Sequence, residues 1–192
     1  MARNKKVNIG DIFSFNITDE IIDILEIQPK DIFDKIKKTF YKISEKKGYG
    51  VVINRNKSFI LIQIKRVNIN DPTLEEILNA KTISVQWTWQ KVLFEKEYAI
   101  LGNMPIEPIE MKYFYEVCGT DYDDYMTGKE VEFTIVEVKG DLSPTETIKT
   151  TRDKEIIKEL FPFGGYGTHA TIMMDYLLNY YRDENDISTL RV

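Results

Sequence analysis

Apolar and polar positions change their spacing several times along the chain, and each change predicts an element. In 7–17, Phe13, Phe15 and Ile17 alternate with Ser14 and Asn16, the two-residue period of a strand. Thr18 or Asp19 then has N-cap chemistry, with Glu20 in the first turn and Ile21, Ile22 and Leu25 on one side, as far as Pro29. From 30 to 46 the spacing lengthens to three and four. Phe33, Ile36, Phe40 and Ile43 line one side against Lys35, Lys38, Lys42 and Glu45, which predicts an amphipathic helix on an apolar surface, stopped at Gly48.

Strand-like runs at 49–53 and 58–67 flank the polar turn Asn54-Arg55-Asn56-Lys57 and predict a hairpin. Phe59-Ile60-Leu61-Ile62 is apolar on both faces, as a central strand is. Asp71-Pro72-Thr73-Leu74-Glu75-Glu76 predicts a helix start, with Asp71 as cap, Pro72 at the first helical position and an end near Ala80. In 82–89, Ile83, Val85, Trp87 and Trp89 alternate with Thr82, Ser84, Gln86 and Thr88, a strand with one core-facing and one polar side. Val92-Leu93-Phe94 and Tyr98-Ala99-Ile100-Leu101 continue the sheet, Pro105 and Pro108 interrupt it, and 112–117 and 131–138 add two strands.

The segment 140–151 reads as a polar linker around Ser143-Pro144. A helix over 153–161 is broken by Pro162, and a loop, Gly164-Gly165-Tyr166-Gly167, leads to a last helix capped by Thr168. Met173, Tyr176, Leu177 and Tyr180 form that helix's apolar stripe, and the charged tail after Tyr181 is expected to fray. The elements predict one α+β domain over 1–192: a strongly bent or barrel-like, mainly antiparallel sheet with helices packed outside, and a helical insertion at 19–46 between the first two strands.

Composition narrows the function classes. A chain of 192 residues with 43% hydrophobic content can bury a core without disulfide or metal support. Eleven Tyr and ten Phe favour strand packing and a tyrosine-bearing surface. The net charge of −5 argues mildly against nucleic-acid binding; it is explained by solubility and is compatible with a basic protein partner. Cys118 is the one cysteine, which excludes an internal disulfide and a Cys-rich zinc site and fits a reducing cytoplasm. Residues 1–6 lack the apolar core of a signal peptide and no apolar run reaches the ~18 residues of a membrane span, so a soluble cytoplasmic chain is expected.

Candidate chemistry is sparse. His169 is the lone histidine, so any triad must be built around it, with Cys118 as its formal partner, but its place reads better as a partly exposed residue at a helix terminus. Gly165-Tyr166-Gly167-Thr168-His169-Ala170 matches Gly-x-Gly-x-x-Ala before a helix, but a helix and Pro162 are expected ahead of it where a dinucleotide fold needs a parallel strand. A tight turn that docks the last helix explains it better, with an anion site at Gly164–Thr168 for a nucleotide-binding phage or mobile-element protein as the alternative. Asp121-Tyr122-Asp123-Asp124-Tyr125 begins like a calcium loop with Glu132 at position twelve, yet Tyr125 and Met126 fall where an oxygen ligand and the glycine belong. It reads as a solvated loop or as an acidic, tyrosine-bearing contact for a basic protein surface. The pairs Glu75/Glu76, Glu107/Glu110 and Glu130/Glu132 are unremarkable in a chain with 31 acids.

Several segments in order resemble the Imm26 family of bacterial immunity proteins, found beside polymorphic and contact-dependent toxins. They are Val7-Asn8-Ile9-Gly10-Asp11-Ile12-Phe13, Gly48-Tyr49-Gly50-Val51-Val52, Thr73-Leu74-Glu75-Glu76-Ile77-Leu78 and Tyr98-Ala99-Ile100-Leu101-Gly102-Asn103-Met104-Pro105, followed by the aromatic strand around Tyr113 to Tyr115 and the helix over 170–181. The insertion at 19–46 departs from that pattern. The resemblance implies a non-enzyme without cofactor or metal that neutralises a cognate toxin by binding it. An acidic inhibitor suits a basic toxin such as a nuclease, with Asp121, Tyr122, Asp123, Asp124, Tyr125 and the inserted helices as candidate contacts.

Overall fold

Alternating apolar residues at 13 and 15 lie in the chain's first strand, which stands second from one edge of the sheet. A computed structural model describes residues 6–19, 30–109, 112–117, 130–137, 146–158 and 160–184. The described strands are β1 (Asp11–Asn16), β2 (Lys47–Arg55), β3 (Phe59–Lys65), β4 (Thr82–Trp89), β5 (Tyr98–Asn103), β6 (Tyr113–Val117), β7 (Phe133–Glu137), β8 (Glu146–Thr151) and β9 (Phe161–Gly167). They form one nine-stranded sheet in the order β5-β1-β2-β3-β4-β9-β6-β7-β8. Pairing is antiparallel except at β9, which runs parallel to both β4 and β6 and joins two antiparallel halves. The described helices are α1 (Lys30–Lys42), α2 (Leu74–Asn79), α3 (Lys154–Lys158) and α4 (His169–Glu184). The fold is α+β, as expected. The sheet stays open, because β5 and β8 do not pair with each other.

Each face of the sheet is covered by a helix whose apolar spacing matches it. Phe13, Phe15, Val52, Ile62 and Ile64 meet Ile36 and Phe40 of α1 and Ile172, Met173, Tyr176, Leu177 and Tyr180 of α4. This is the stripe expected of the last helix. On the other face Ile12, Val51, Leu61, Val85 and Trp87 pack with Ile77 of α2. Phe59 stacks on Trp87 at 4.8 Å and contacts Trp89 at 4.2 Å, so both tryptophans serve the packing. A smaller core of Tyr115, Phe133, Ile135 and Ile157 holds α3 against β6 and β7.

Several boundaries differ from expectation, each for a local reason. The helix in the insertion ends at Lys42, and Gly48 does not stop it: Glu45 and Lys46 take left-handed backbone first, and Gly48 lies inside β2 under the Phe15 ring. Residues 20–29 of the insertion lie outside the described residues. Thr73, not Asp71, caps α2. With Asp71 as cap the third helical residue would be Leu74, which cannot return a bond, whereas Thr73 and Glu76 complete a reciprocal capping box. The backbone N–H of Thr73 donates to Glu76 Oε2 at 2.8 Å, and with the Thr73 hydroxyl it holds that carboxyl below its ordinary range. Thr73→Ala is expected to lower stability by about 1 kcal/mol, read as an earlier urea midpoint at constant slope; an unmoved midpoint would leave the cap without energetic weight.

Val92 and Leu93, both buried, occupy a 3-10 turn, Gln90–Phe94, instead of continuing the sheet. The supposed linker at 140–151 contains β8, an edge strand exposed along nearly its whole length and held by backbone pairing to β7. The glycine-rich loop is itself the strand β9. Gly10 is the one glycine with left-handed backbone among the described residues: at φ +85° it accepts from the Met104 N–H and donates to the Val52 carbonyl, tying the start of β1 to its neighbours.

Candidate functional site

The strand β5 combines local rigidity with an unguarded outer edge. Its first residue, Tyr98, is buried against the Phe13 and Phe15 rings at 6.0 and 5.8 Å and bonds through its hydroxyl to His169 Nδ1 at 3.0 Å. Its last residue, Asn103, donates to Asp11 Oδ1 at 2.8 Å and to the Ile9 carbonyl at 3.0 Å. Gly102 lies against Leu74 of α2, where a side chain would collide with that leucine. Between these anchors the register to β1 shifts by one residue, and Ile100 and Leu101 are 42% and 44% exposed. Among the described residues β5 pairs only with β1, so one row of its backbone N–H and C=O groups remains open.

The two sheet edges are chemically unlike. The β8 edge carries Glu146 and Lys149, which discourage pairing with another chain, whereas β5 has no charged residue. The nearest charges are Glu97 before it and Glu107 beyond it, and Ile109 adds a further exposed aliphatic side chain after β5. The sequence makes Tyr98-Ala99-Ile100-Leu101 a strand but does not reveal that it stands at an edge. That depends on pairing with β1, more than eighty residues away in sequence.

The other expected sites fare differently. Asp121, Tyr122, Asp123, Asp124 and Tyr125 lie outside the described residues, as does Cys118. His169 stands on the first turn of α4, half-buried and edge-on to Tyr98 at 5.1 Å, in a packing role. Gly167 pairs with Thr88 and Tyr166 with Trp87, leaving only Thr168 between the ladder and α4. A parallel strand does precede the helix, contrary to expectation, yet the glycines sit within the ladder and do not form a separate phosphate-cradling turn. Glu76 serves the capping box, and Glu132 faces Arg152 at 3.8 Å. Of the basic stripe on α1, Lys42 is paired with Glu184 at 3.0 Å.

A second constellation is buried and was not foreseen. Ser84, Gln86 and Thr88, expected to face outward, are fully buried beneath α4. Ser84 Oγ and Gln86 Nε2 both donate to Asp175 Oδ2, Asn179 Nδ2 donates to the Asp175 carbonyl at 2.7 Å, and Arg182 donates to Asn179 Oδ1. Burial pushes the Asp175 carboxyl above its ordinary range, against the opposing pull of Ser84, Arg182, Gln86 and Asn179. Asp175, Asn179 and Arg182 recur at four and three residues, a polar stripe on α4 that meets the polar alternation of β4. One residue further, Asp183 ion-pairs with Arg66 and Lys81. Burial acts to raise that carboxyl, but bonds from Lys81 and Arg66 prevail and hold it low.

Lys65 is also buried and lowered to about 8 by desolvation, its Nζ donating to Thr82 Oγ1 at 3.0 Å. Among the described residues no group of three or more His, Cys, Asp or Glu side chains could hold a metal ion, and no helix is long and apolar enough to cross a membrane. Comparison with protein-family models, with curated proteins and with solved structures finds no match.

Proposed function

We propose that this chain is an immunity-type protein that neutralises a toxin by binding it, using the β5 edge as its contact. The observation that carries this is the contrast between the two edges: β8 is charged, while β5 is anchored at both ends, uncharged, and aliphatic in its exposed middle. A partner strand laid beside β5 would gain main-chain bonds along the open row and bury Ile100 and Leu101, a recurrent mode of recognition. The net charge of −5 would speed encounter with a basic toxin such as a nuclease. The sequence segments that resemble Imm26 immunity proteins point the same way, and Tyr98 to Pro105, one of those segments, contains this edge.

The test is titration calorimetry with the product of the neighbouring gene. A stoichiometric complex at nanomolar affinity or tighter is expected. The double variant Ile100→Lys, Leu101→Lys alters only exposed positions, so it should unfold like the parent while binding at least ~100-fold more weakly. Absence of binding by the parent would remove the immunity function; parental binding with an undiminished double variant would keep the function and remove this edge.

A further inference from the structure

A cleft of about 140 Å³ opens at the end of the sheet where β2 begins and β3 finishes. Tyr49 from β2 and Tyr180 from α4 line it, both only 8% exposed, together with Ile43, Val67 and Ile69. Three residues among those described have left-handed backbone without being glycine: Glu45, Lys46 and Asp71. One of them lines this cleft and the other two adjoin lining residues in sequence. Glu45 lines it, Lys46 sits between lining residues, and Asp71 follows directly on lining Asn70. Asp71 also precedes Pro72, which restricts its backbone further. Conformations of this kind persist only where the surroundings enforce them, and they gather at ligand clamps.

The polar groups of the cleft are unengaged. Tyr180 donates its hydroxyl proton to Asn68 Oδ1 at 2.8 Å, which leaves the Asn68 amide N–H groups available. Tyr49 Oη, Ser44 Oγ and the Asn70 amide have no hydrogen-bond partner among the described residues. The charged groups at the rim are already neutralised, Lys47 by Glu45 at 3.5 Å and Lys42 by Glu184 at 3.0 Å. A cavity of roughly 150 Å³ accommodates one benzene-sized ring. Aromatic walls, free hydroxyl and amide groups, and balanced charge select against an ion and for a planar, polar ring.

We propose that this cleft binds a small uncharged ligand built on a single six-membered ring with hydrogen-bonding substituents, of the kind a pyrimidine base or a phenol presents. Its ring would lie against the Tyr49 side chain and beside Tyr180, whose ring face already carries the Arg66 guanidinium at 4.6 Å, and its polar substituents would meet Tyr49 Oη and the Asn68 and Asn70 amides. The site does not depend on the β5 edge or on a toxin partner.

The test is a backbone-amide NMR titration of the full chain with uracil and, separately, with phenol. Saturable shifts confined to residues 43–49, 67–70 and 180 are expected with at least one probe below about 10 mM. Whichever probe binds identifies the chemistry preferred. Tyr49→Phe removes one hydroxyl and should weaken binding about five-fold, the value of one hydrogen bond. Asn70→Trp, at an exposed position, should plug the cleft and abolish the shifts even if Tyr49→Phe were to disturb folding. Diffuse or non-saturating shifts with both probes, or unchanged binding in Asn70→Trp, would overturn the assignment.

Discussion

Asp175→Ala is expected to destabilise the protein by about 3 kcal/mol, because it leaves two buried donors without their acceptor. The Ser84 hydroxyl and the Gln86 amide would lose their acceptor, and Arg182, only 3% exposed, would lose the carboxylate that offsets its charge. Asp175→Asn keeps a carbonyl for the two donors and should cost clearly less. The pH dependence separates charge from shape. Burial raises the folded-state pKa of Asp175 above the unfolded value, so the folded protein binds this proton more tightly than the unfolded chain does. Burying this carboxyl therefore costs the fold stability at neutral pH, as a charge carried or a proton taken up, and the cost lessens as pH falls toward the ordinary value of about 3.9. Asp183, held low by Lys81 and Arg66, works in the opposite sense, losing its contribution as pH falls below its ordinary value. Urea midpoints of wild type and Asp175→Asn, taken from about pH 7 to about pH 4.5, should shift in the wild type's favour as pH drops, since Asp183 is common to both. A constant gap would mean that the carboxyl binds its proton equally in the folded and unfolded chain and is not shifted.

The same network shows where the sequence stops being legible. The alternation of Ser84, Gln86 and Thr88 was visible, but a polar alternation ordinarily marks a solvated face. Only its meeting with the polar stripe of α4, some ninety residues later, makes that face interior. β1 and β4 were readable from their two-residue alternation, and β3 from a continuous apolar run, the mark of a strand buried on both faces. β8 and β9 were not. The first is exposed nearly throughout and the second is rich in glycine, so neither bears a side-chain pattern, and backbone pairing alone makes them strands. The β5 edge and the cleft failed to show for a related reason. Edge position and cavity shape depend on which distant elements meet, whereas composition reveals only which residues are available for the meeting.

Gly48→Ala is expected to cost about 3 kcal/mol, far more than a methyl group usually does in a strand. In the native register Gly48 stands opposite Phe15, and the phenyl ring lies directly over its backbone. A Cβ would sit 2.5–2.6 Å from two ring carbons and closer still to the ring's tip. The ring has nowhere to retreat: Tyr176 meets it edge-on at 5.5 Å and Tyr98 flanks it at 5.8 Å, both themselves buried. Relief must come from β1 sliding away from β2 or from α4 lifting off the sheet. Shortening the obstructing side chain removes the conflict, so Phe15→Leu should be destabilising alone yet should absorb most of the effect of Gly48→Ala when the two are combined. A double-mutant cycle on chemical denaturation should return a favourable coupling of about 2 kcal/mol. Strict additivity would place the cost of the alanine in backbone conformation and exclude a collision with the ring. Because Tyr98 anchors β5 against this ring, the single Gly48→Ala variant should also loosen the exposed edge, read as faster amide exchange at Ile100 and Leu101, while the double variant restores protection there.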